Sequence, residues 1–487
     1  MRTADEYVRS LRDLDTRIYV DGERVADPTV HPRLRPAMNA VAATYALAHD
    51  DRYRELATAH SEIIDGPVNR FTHLFATADD LRRKLEFQRV LGRLTGTCFQ
   101  RCVGMDGLNA LFVATWEAGG HWHERFVQWL GQVQRDDEVI NGAMTDPKGD
   151  RNKRPLQQPD QYLRVVERRD DGVVIRGAKI HQTGAANSHQ ILVMPGMAMR
   201  PGEEDFVIAA ALPADAPGVT MVLGRQPSDE RKGGPDAGNA QYGGQEVVVL
   251  FEDVFVPNER VFLDGHLDAC LTLVDTFAGF HRASYGGCKP GNLDVLIGAA
   301  SLLTEIHGVR KASHVRDKLI EMAHLGETIH GLGLGASAKS TQHESGVWRV
   351  DPILANVCKH NVTRMPYEVV RLAEDLAGGL MATMPSLADL DHPEYGEALQ
   401  GIVGSTERGK ALRLVEYMSY GSGSVPLRIE CMHGAGSPQA QRIVLERRID
   451  WAQRVAAARR LAGLDATEID DAADRRVDAE IADAGNK

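Results

Sequence analysis

The sequence predicts an α+β protein, an antiparallel β unit set between two helical units, and three observations predict it. From Thr3 to about Gln134 apolar residues recur at helical spacing with few β-branched runs. Between about Asn141 and Phe262 they fall into short β-rich runs broken by Gly, Pro and Asp. After Pro257 the helical spacing returns and holds almost to the end. An order of helices, strands and helices without βαβ alternation disfavours a doubly wound sheet. The expected units are an N-terminal α-helical domain over 1–140, a middle β domain over 141–265 and a C-terminal α-helical domain over 266–487.

In the first unit Leu81, Leu85, Phe87, Val90, Leu91 and Leu94 form the clearest stripe. In the second, Leu163–Glu167 and Val173–Arg176 flank Asp170-Asp171-Gly172, a hairpin signal because Asp-Gly tolerates positive φ at both central turn positions. Further strands are expected at Phe206–Leu212, Val219–Leu223 and Glu246–Phe251, and residues 224–244, rich in Gly, Pro and charge, read as a long surface loop and candidate lid. In the third, Val315, Leu319, Met322, Leu325 and Ile329 make another stripe, and helices are expected around Leu354–Ala377 and Glu397–Ser419. The Ala/Asp-rich tail from Asp465 reads as a solvated or frayed helix. No internal repeat is present.

Composition excludes several classes. With 43% hydrophobic and 25% charged residues, the 487-residue chain is an ordinary globular one. A net charge of −12 argues against a general nucleic-acid partner, which needs a basic face. Six cysteines at scattered positions are no disulfide framework and indicate a reducing compartment. The N-terminus lacks the apolar core of a secretory signal, and Val295–Leu303, the longest apolar run, is too short to span a bilayer. A cytoplasmic protein with no membrane partner is expected.

Four segments carry candidate chemistry. Cys98-Phe99-Gln100-Arg101-Cys102 would place two thiols on one face if a helix continues through it, although such a pair is also ordinary core packing. His281, Tyr285 and Cys288, at 0, +4 and +7, would share a helix face, unless Gly286-Gly287 and Pro290 break the helix. Together they offer three thiolates and one imidazole, a set suited to structural zinc or to an iron–sulfur cluster. The gap between residues 102 and 281 favours a larger cluster held between domains, since zinc ligands usually come in short pairs. Met144-Thr145-Asp146-Pro147-Lys148-Gly149-Asp150-Arg151 reads as a turn approaching a flavin or its phosphates, or as an ordinary polar turn. His181-Gln182-Thr183-Gly184 adds donors of the kind that tune a flavin ring.

Together with His433-Gly434-Ala435-Gly436-Ser437-Pro438-Gln439, these segments resemble the 4-hydroxyphenylacetate 3-hydroxylase superfamily over nearly the whole chain. The turn and Thr-Gly motifs specify the superfamily, and the Cys/His set points to its acyl-CoA dehydratase branch. The resemblance implies an acyl-CoA dehydrogenase-like fold whose middle domain binds FAD, with Thr145, Lys148, Asp150, Arg151 and Thr183 around the flavin. It implies one [4Fe-4S] cluster on Cys98, Cys102, His281 and Cys288. Tyr285, Lys289, Glu246 and Gln100 would line the substrate space, His281 being the family's proposed base, with either Glu430 or Glu446 as a C-terminal catalytic glutamate. The implied reaction is radical dehydration of 4-hydroxybutyryl-CoA to crotonyl-CoA with vinylacetyl-CoA isomerase activity, in a homotetramer. Two other readings stay open: a two-component flavin-dependent phenol monooxygenase, and an acyl-CoA-binding or zinc-stabilised scaffold.

Overall fold

The structure, a computed structural model, describes residues 1–147, 149–225 and 234–464. Lys148 of the flavin-directed turn, part of the candidate lid (226–233) and the tail from residue 465 lie outside them. Contacts divide the chain into a unit spanning Met1–Arg442 and a second spanning Ile443–Lys487.

Five helices build the site in the first unit. Helix α1, Ala78–Thr95, begins at a capping box in which the Thr77 side chain accepts from Asp80 N and ends at Gly96 in the left-handed region (φ 61°). Its buried stripe includes Leu81, Leu85, Phe87 and Leu91, as the spacing predicts, while Leu94 is exposed. Helix α2, Cys102–Ala118, is buried along most of its length. Helix α3, Leu267–Ile306, runs 40 residues with Pro290 inside it. The alternative of a break at Gly286-Gly287 and Pro290 is therefore not what forms. Helix α4, Ser313–Ala338, buries Val315, Leu319, Met322 and Ile329. Helix α5, Ile429–His433, is short.

The continuity of α3 has a local cause. Pro290 has no N–H to donate to Gly286 O, four residues back, and a carbonyl left unpaired inside a fold is costly. Nδ1 of His330 on α4 lies 2.8 Å from that oxygen. Small residues make room for the contact: a Cβ on Gly286 would sit 2.7 Å from the Gly333 Cα, one on Gly287 2.7 Å from the Leu85 carbonyl, and one on Gly92 2.8 Å from the Cys288 carbonyl. Helix α3 is thus gripped by α1 and α4 where it carries Cys288.

The β unit comprises a six-stranded sheet ordered Glu23–Arg24, Ile18–Val20, Val219–Leu223, Val247–Pro257, Gly172–Lys179, Arg164–Arg169, and a four-stranded sheet ordered Val261–Asp264, Ile208–Pro213, Gln190–Val193, Ile140–Ala143. Two pairings are parallel, Ile18 with Met221 and Ile140 with Gln190, so the sheets are not purely antiparallel as the sequence predicts. The hairpin at Asp170-Asp171 forms, with neither residue at positive φ. The expected helix over 354–377 is two, Pro352–Val362 and Met365–Ala377, the second opening on Pro366. The expected helix over 397–419 is likewise Gly396–Val403 and Thr406–Ser419, separated by Gly404 at positive φ. In the second unit Trp451–Leu461 is a helix capped by Asp450, which accepts from Gln453 N at 2.8 Å. No described helix is long and apolar enough to cross a membrane.

Candidate active site

The loop between α1 and α2 carries the first thiol and α2 the second. The expectation that one helix presents both fails, because α1 stops at Gly96 and Gln100 adopts φ 68° before α2 starts at Cys102. The two sulfurs are nevertheless brought together: the hydrogen bond the Cys102 thiol donates to Cys98, and then burial, push Cys102 well above its ordinary value, with Cys288 contributing. Burial pushes Cys288 up to about 12, with Cys98 contributing.

All six cysteines are free and buried, but in two manners. Cys270, Cys358 and Cys431 have no exposure, and each donates to a backbone carbonyl, of Met197, Ile329 and Pro426 respectively. Cys98, Cys102 and Cys288 keep 6–7% exposure and, among the described residues, bond no carbonyl, as thiols facing an internal space do. Among the described residues no three His, Cys, Asp or Glu side chains are placed to hold a single metal ion. Among the described residues, the buried carboxamides of Gln88, Gln245 and Asn292 have no hydrogen-bond partner on either atom.

His281, Tyr285, Cys288 and Lys289 all stand on α3. The His281 ring stacks on Phe277 at 5.4 Å and meets the Tyr285 ring edge-on at 5.5 Å. Burial pushes the Tyr285 phenol well above its ordinary value. Its oxygen occupies the space a Cβ at Gly434 would need, and Arg282 Nε donates to Ala435 O at 3.0 Å, which explains the small residues of the His433–Gln439 motif.

Lys289 Nζ donates to Glu430 Oε2 at 2.7 Å. Burial disfavours the Lys289 ammonium, but Glu430 together with Cys288, Cys431 and Tyr285 outweighs this, and its pKa lies well above the ordinary value. Glu246, on the strand side, is held well above the usual carboxylate range by burial and by Glu430, with which it shares a hydrogen bond. Thr183 Oγ1 lies 2.8 Å from both Glu246 oxygens. The site therefore sets Glu246, whose carboxyl holds its proton more tightly than usual, beside a Lys289-paired Glu430. Glu446 belongs to the second unit, where it is exposed.

Gln100 is buried, donating to Ala37 O at 2.9 Å and accepting from Asn187 at 3.0 Å, so its amide holds the loop between α1 and α2. Thr145 is half-buried, its carbonyl accepting from Ile180 N at 2.9 Å, while Asp150 and Arg151 are exposed. The anchor of that turn is Asp146, paired with the buried Lys179 at 2.7 Å. Sequence reasoning missed three buried groups: Asp106, which contacts His281; Lys84, which pairs with Asp106; and Lys359, whose Nζ lies 4.4 Å over the Tyr285 ring and which burial brings down to about 8. Asp106 stands four residues after Cys102, a helical repeat that could have drawn attention to it.

Residues 3–263 match the N-terminal domain and residues 270–463 the C-terminal domain of the family described as 4-hydroxyphenylacetate 3-hydroxylase. The chain is 47% identical to 4-hydroxybutyryl-CoA dehydratase/vinylacetyl-CoA-Δ-isomerase of Clostridium aminobutyricum, over 95% of this chain and 100% of that one. It superposes on an oxygen-tolerant archaeal 4-hydroxybutyryl-CoA dehydratase from N. maritimus with a TM-score of 0.93 at 46% identity, over 96% of both chains. It shares its fold with the oxygenase component of 4-hydroxyphenylacetate 3-monooxygenase complexed with FAD, at a TM-score of 0.84 and 24% identity over 95% of this chain and 99% of that one. On this likeness the chain belongs to the 4-hydroxyphenylacetate 3-hydroxylase family.

Proposed function

We propose that the protein dehydrates a 4-hydroxyacyl-CoA, 4-hydroxybutyryl-CoA to crotonyl-CoA, and isomerises vinylacetyl-CoA. The observation that carries the reading is the meeting of three buried, carbonyl-free thiols and a carboxylate-held imidazole with the Glu246–Glu430–Lys289 network. A monooxygenase has no evident use for such a set of thiols.

On this reading Cys98, Cys102, His281 and Cys288 hold a [4Fe-4S] cluster, and Thr145, Lys148, Asp150, Arg151 and Thr183 border FAD. The donor set fits: sulfur and imidazole suit iron, and each ligand of such a cluster serves a different iron, so the four need not converge on one point. When bound, FAD supplies one-electron redox chemistry and the cluster a Lewis-acidic iron. Residues 1–140, 141–265 and 266–487 are then the three units of an acyl-CoA dehydrogenase-like subunit, assembled as a homotetramer.

The reaction removes hydrogens from C2 and C3, returns one to C4 and expels the 4-hydroxyl as water. The chain's own groups match that traffic. Glu246, whose carboxyl holds its proton more tightly than usual, can give one, and Glu430, hydrogen-bonded to Lys289, stands beside it as the partner carboxyl. Their shared hydrogen bond lets one proton serve both carboxyls. His281 gives Nδ1 to Asp106, so only its Nε2 can bind iron or take a proton, one at a time. Tyr285, buried and neutral, is a donor within the same enclosure.

Anaerobically purified protein should contain flavin, iron and sulfide and should hydrate crotonyl-CoA, and Cys98→Ala should lose both iron and activity. A fully active, iron-free Cys98→Ala variant, or oxygen uptake with a phenol and a flavin reductase, would sink the reading.

A further inference from the structure

Asp106 is fully buried, one turn into the helix that begins at Cys102. Its Oδ2 lies 2.9 Å from His281 Nδ1 and 2.8 Å from Ser284 Oγ, and its Oδ1 lies 2.5 Å from Lys84 Nζ. Lys84 is itself buried, with Nζ 4.7 Å over the Phe75 ring and 5.6 Å over that of Phe280. Helices α1, α2 and α3 thus each contribute to one charge-balanced cluster.

A carboxylate paired with an ammonium only accepts hydrogen bonds. The nitrogen facing it must therefore carry the hydrogen, and a neutral His281 then has its lone pair on Nε2. Among the described residues Nε2 has no hydrogen-bond partner. Lys84, fixed against two aromatic faces, holds the carboxylate so that it cannot rotate away, and Phe277 and Tyr285 fix the plane of the ring.

We propose that Asp106 is the positioning residue of the site: it sets the Nδ1–H tautomer of His281 and presents Nε2 to the iron–sulfur cluster, with Lys84 locking the carboxylate. The proposal rests on the reading of His281 as a cluster ligand. The competing account makes Asp106 merely the counter-ion of a buried lysine. Outer acceptors of metal-bound imidazoles commonly control metal affinity or activity by roughly 10–100-fold, which makes the two accounts separable.

Asp106→Asn offers an amide N–H that can donate to Nδ1 and push the ring proton to Nε2. Because it also strands the Lys84 ammonium, the charge-free pair Lys84→Met/Asp106→Leu serves as a second variant, with flavin content as the check on folding. Both should keep iron on the three cysteines. They should lose the imidazole ¹⁴N coupling in pulsed EPR of the reduced protein, release iron to a chelator at least about tenfold faster, and lose kcat with little change in KM. The unmutated protein gives a test that needs no variant: histidine labelled with ¹⁵N at Nε2 alone should show the coupling to the cluster. Coupling from Nδ1, or a variant with the full ¹⁴N signal and an iron-release rate within twofold of the parent, overturns the assignment of Asp106 and leaves the dehydratase reading standing. Iron-free parent protein overturns both.

Discussion

Glu246 joins buried-group electrostatics to a measurable property of the whole protein. Its carboxyl pKa is raised by burial and by Glu430, so the folded state binds this proton more tightly than the unfolded chain does. Stability from such a group is fully present below the unfolded carboxyl value and is lost as pH rises toward the raised one. Glu246→Gln should therefore flatten the fall in Tm between weakly acidic and weakly alkaline pH, measured by calorimetry against the parent. The same substitution should lower kcat by about 10²-fold or more, the usual contribution of a positioned acid or base. An unchanged Tm–pH slope would mean that Glu246 is ionised in the fold. At this scale the thiols were legible as candidates because cysteines are few, six among 487 residues, and chemically distinctive. Asp106 was not, because it meets His281 across 175 positions and an aspartate in a helix has no signature of its own. Lys84 escaped notice for the same reason, and the contact of Glu430 with Lys289 has no sign in the sequence.

Among the elements, α3 has the sequence pattern of two helices and the structure of one. The 0, +4, +7 spacing of His281, Tyr285 and Cys288 identified the face correctly, but whether it survived Pro290 depended on His330, a residue of another helix. His330→Ala should leave Gly286 O unpaired and cost about 1–3 kcal/mol, read as a lower denaturation midpoint with an unchanged m-value. An unaltered midpoint would show that the carbonyl finds another partner. The loop between α1 and α2 failed in the opposite sense. There the i, i+4 spacing of Cys98 and Cys102 suggested one helix, yet Gly96 ends α1 and the sulfurs are brought together by the loop and by burial. Spacing identifies neighbours along a helix only where a helix exists.

Across the whole molecule, the mixed α+β character was legible from hydrophobic period alone. The pairing of strands was not: Ile18–Val20 pairs with Val219–Leu223 in a sheet where, Glu23–Arg24 apart, the other members lie beyond residue 160, and period-2 patterning carries no information about partners. The burial of all six cysteines likewise belongs to the assembled fold, and it gives a bulk test. With no cysteine above 7% exposure, native protein should show no rapidly reacting thiol toward a disulfide reagent, and six should react after denaturation of metal-free protein. A fast-reacting native thiol would identify an opening of the core.

The Lys84–Asp106–His281 cluster also sets an order in time. A ribosome making about 5–20 residues per second takes roughly 10–40 s to extend the chain from Cys102 to Cys288. Through that interval two thiols and an oppositely charged pair, all destined for the interior, wait on an unfinished polypeptide. The groups from α3 arrive only after the β unit has been synthesised, so this buried cluster of side chains closes late, and the early thiols are the ones a cell must guard against oxidation meanwhile.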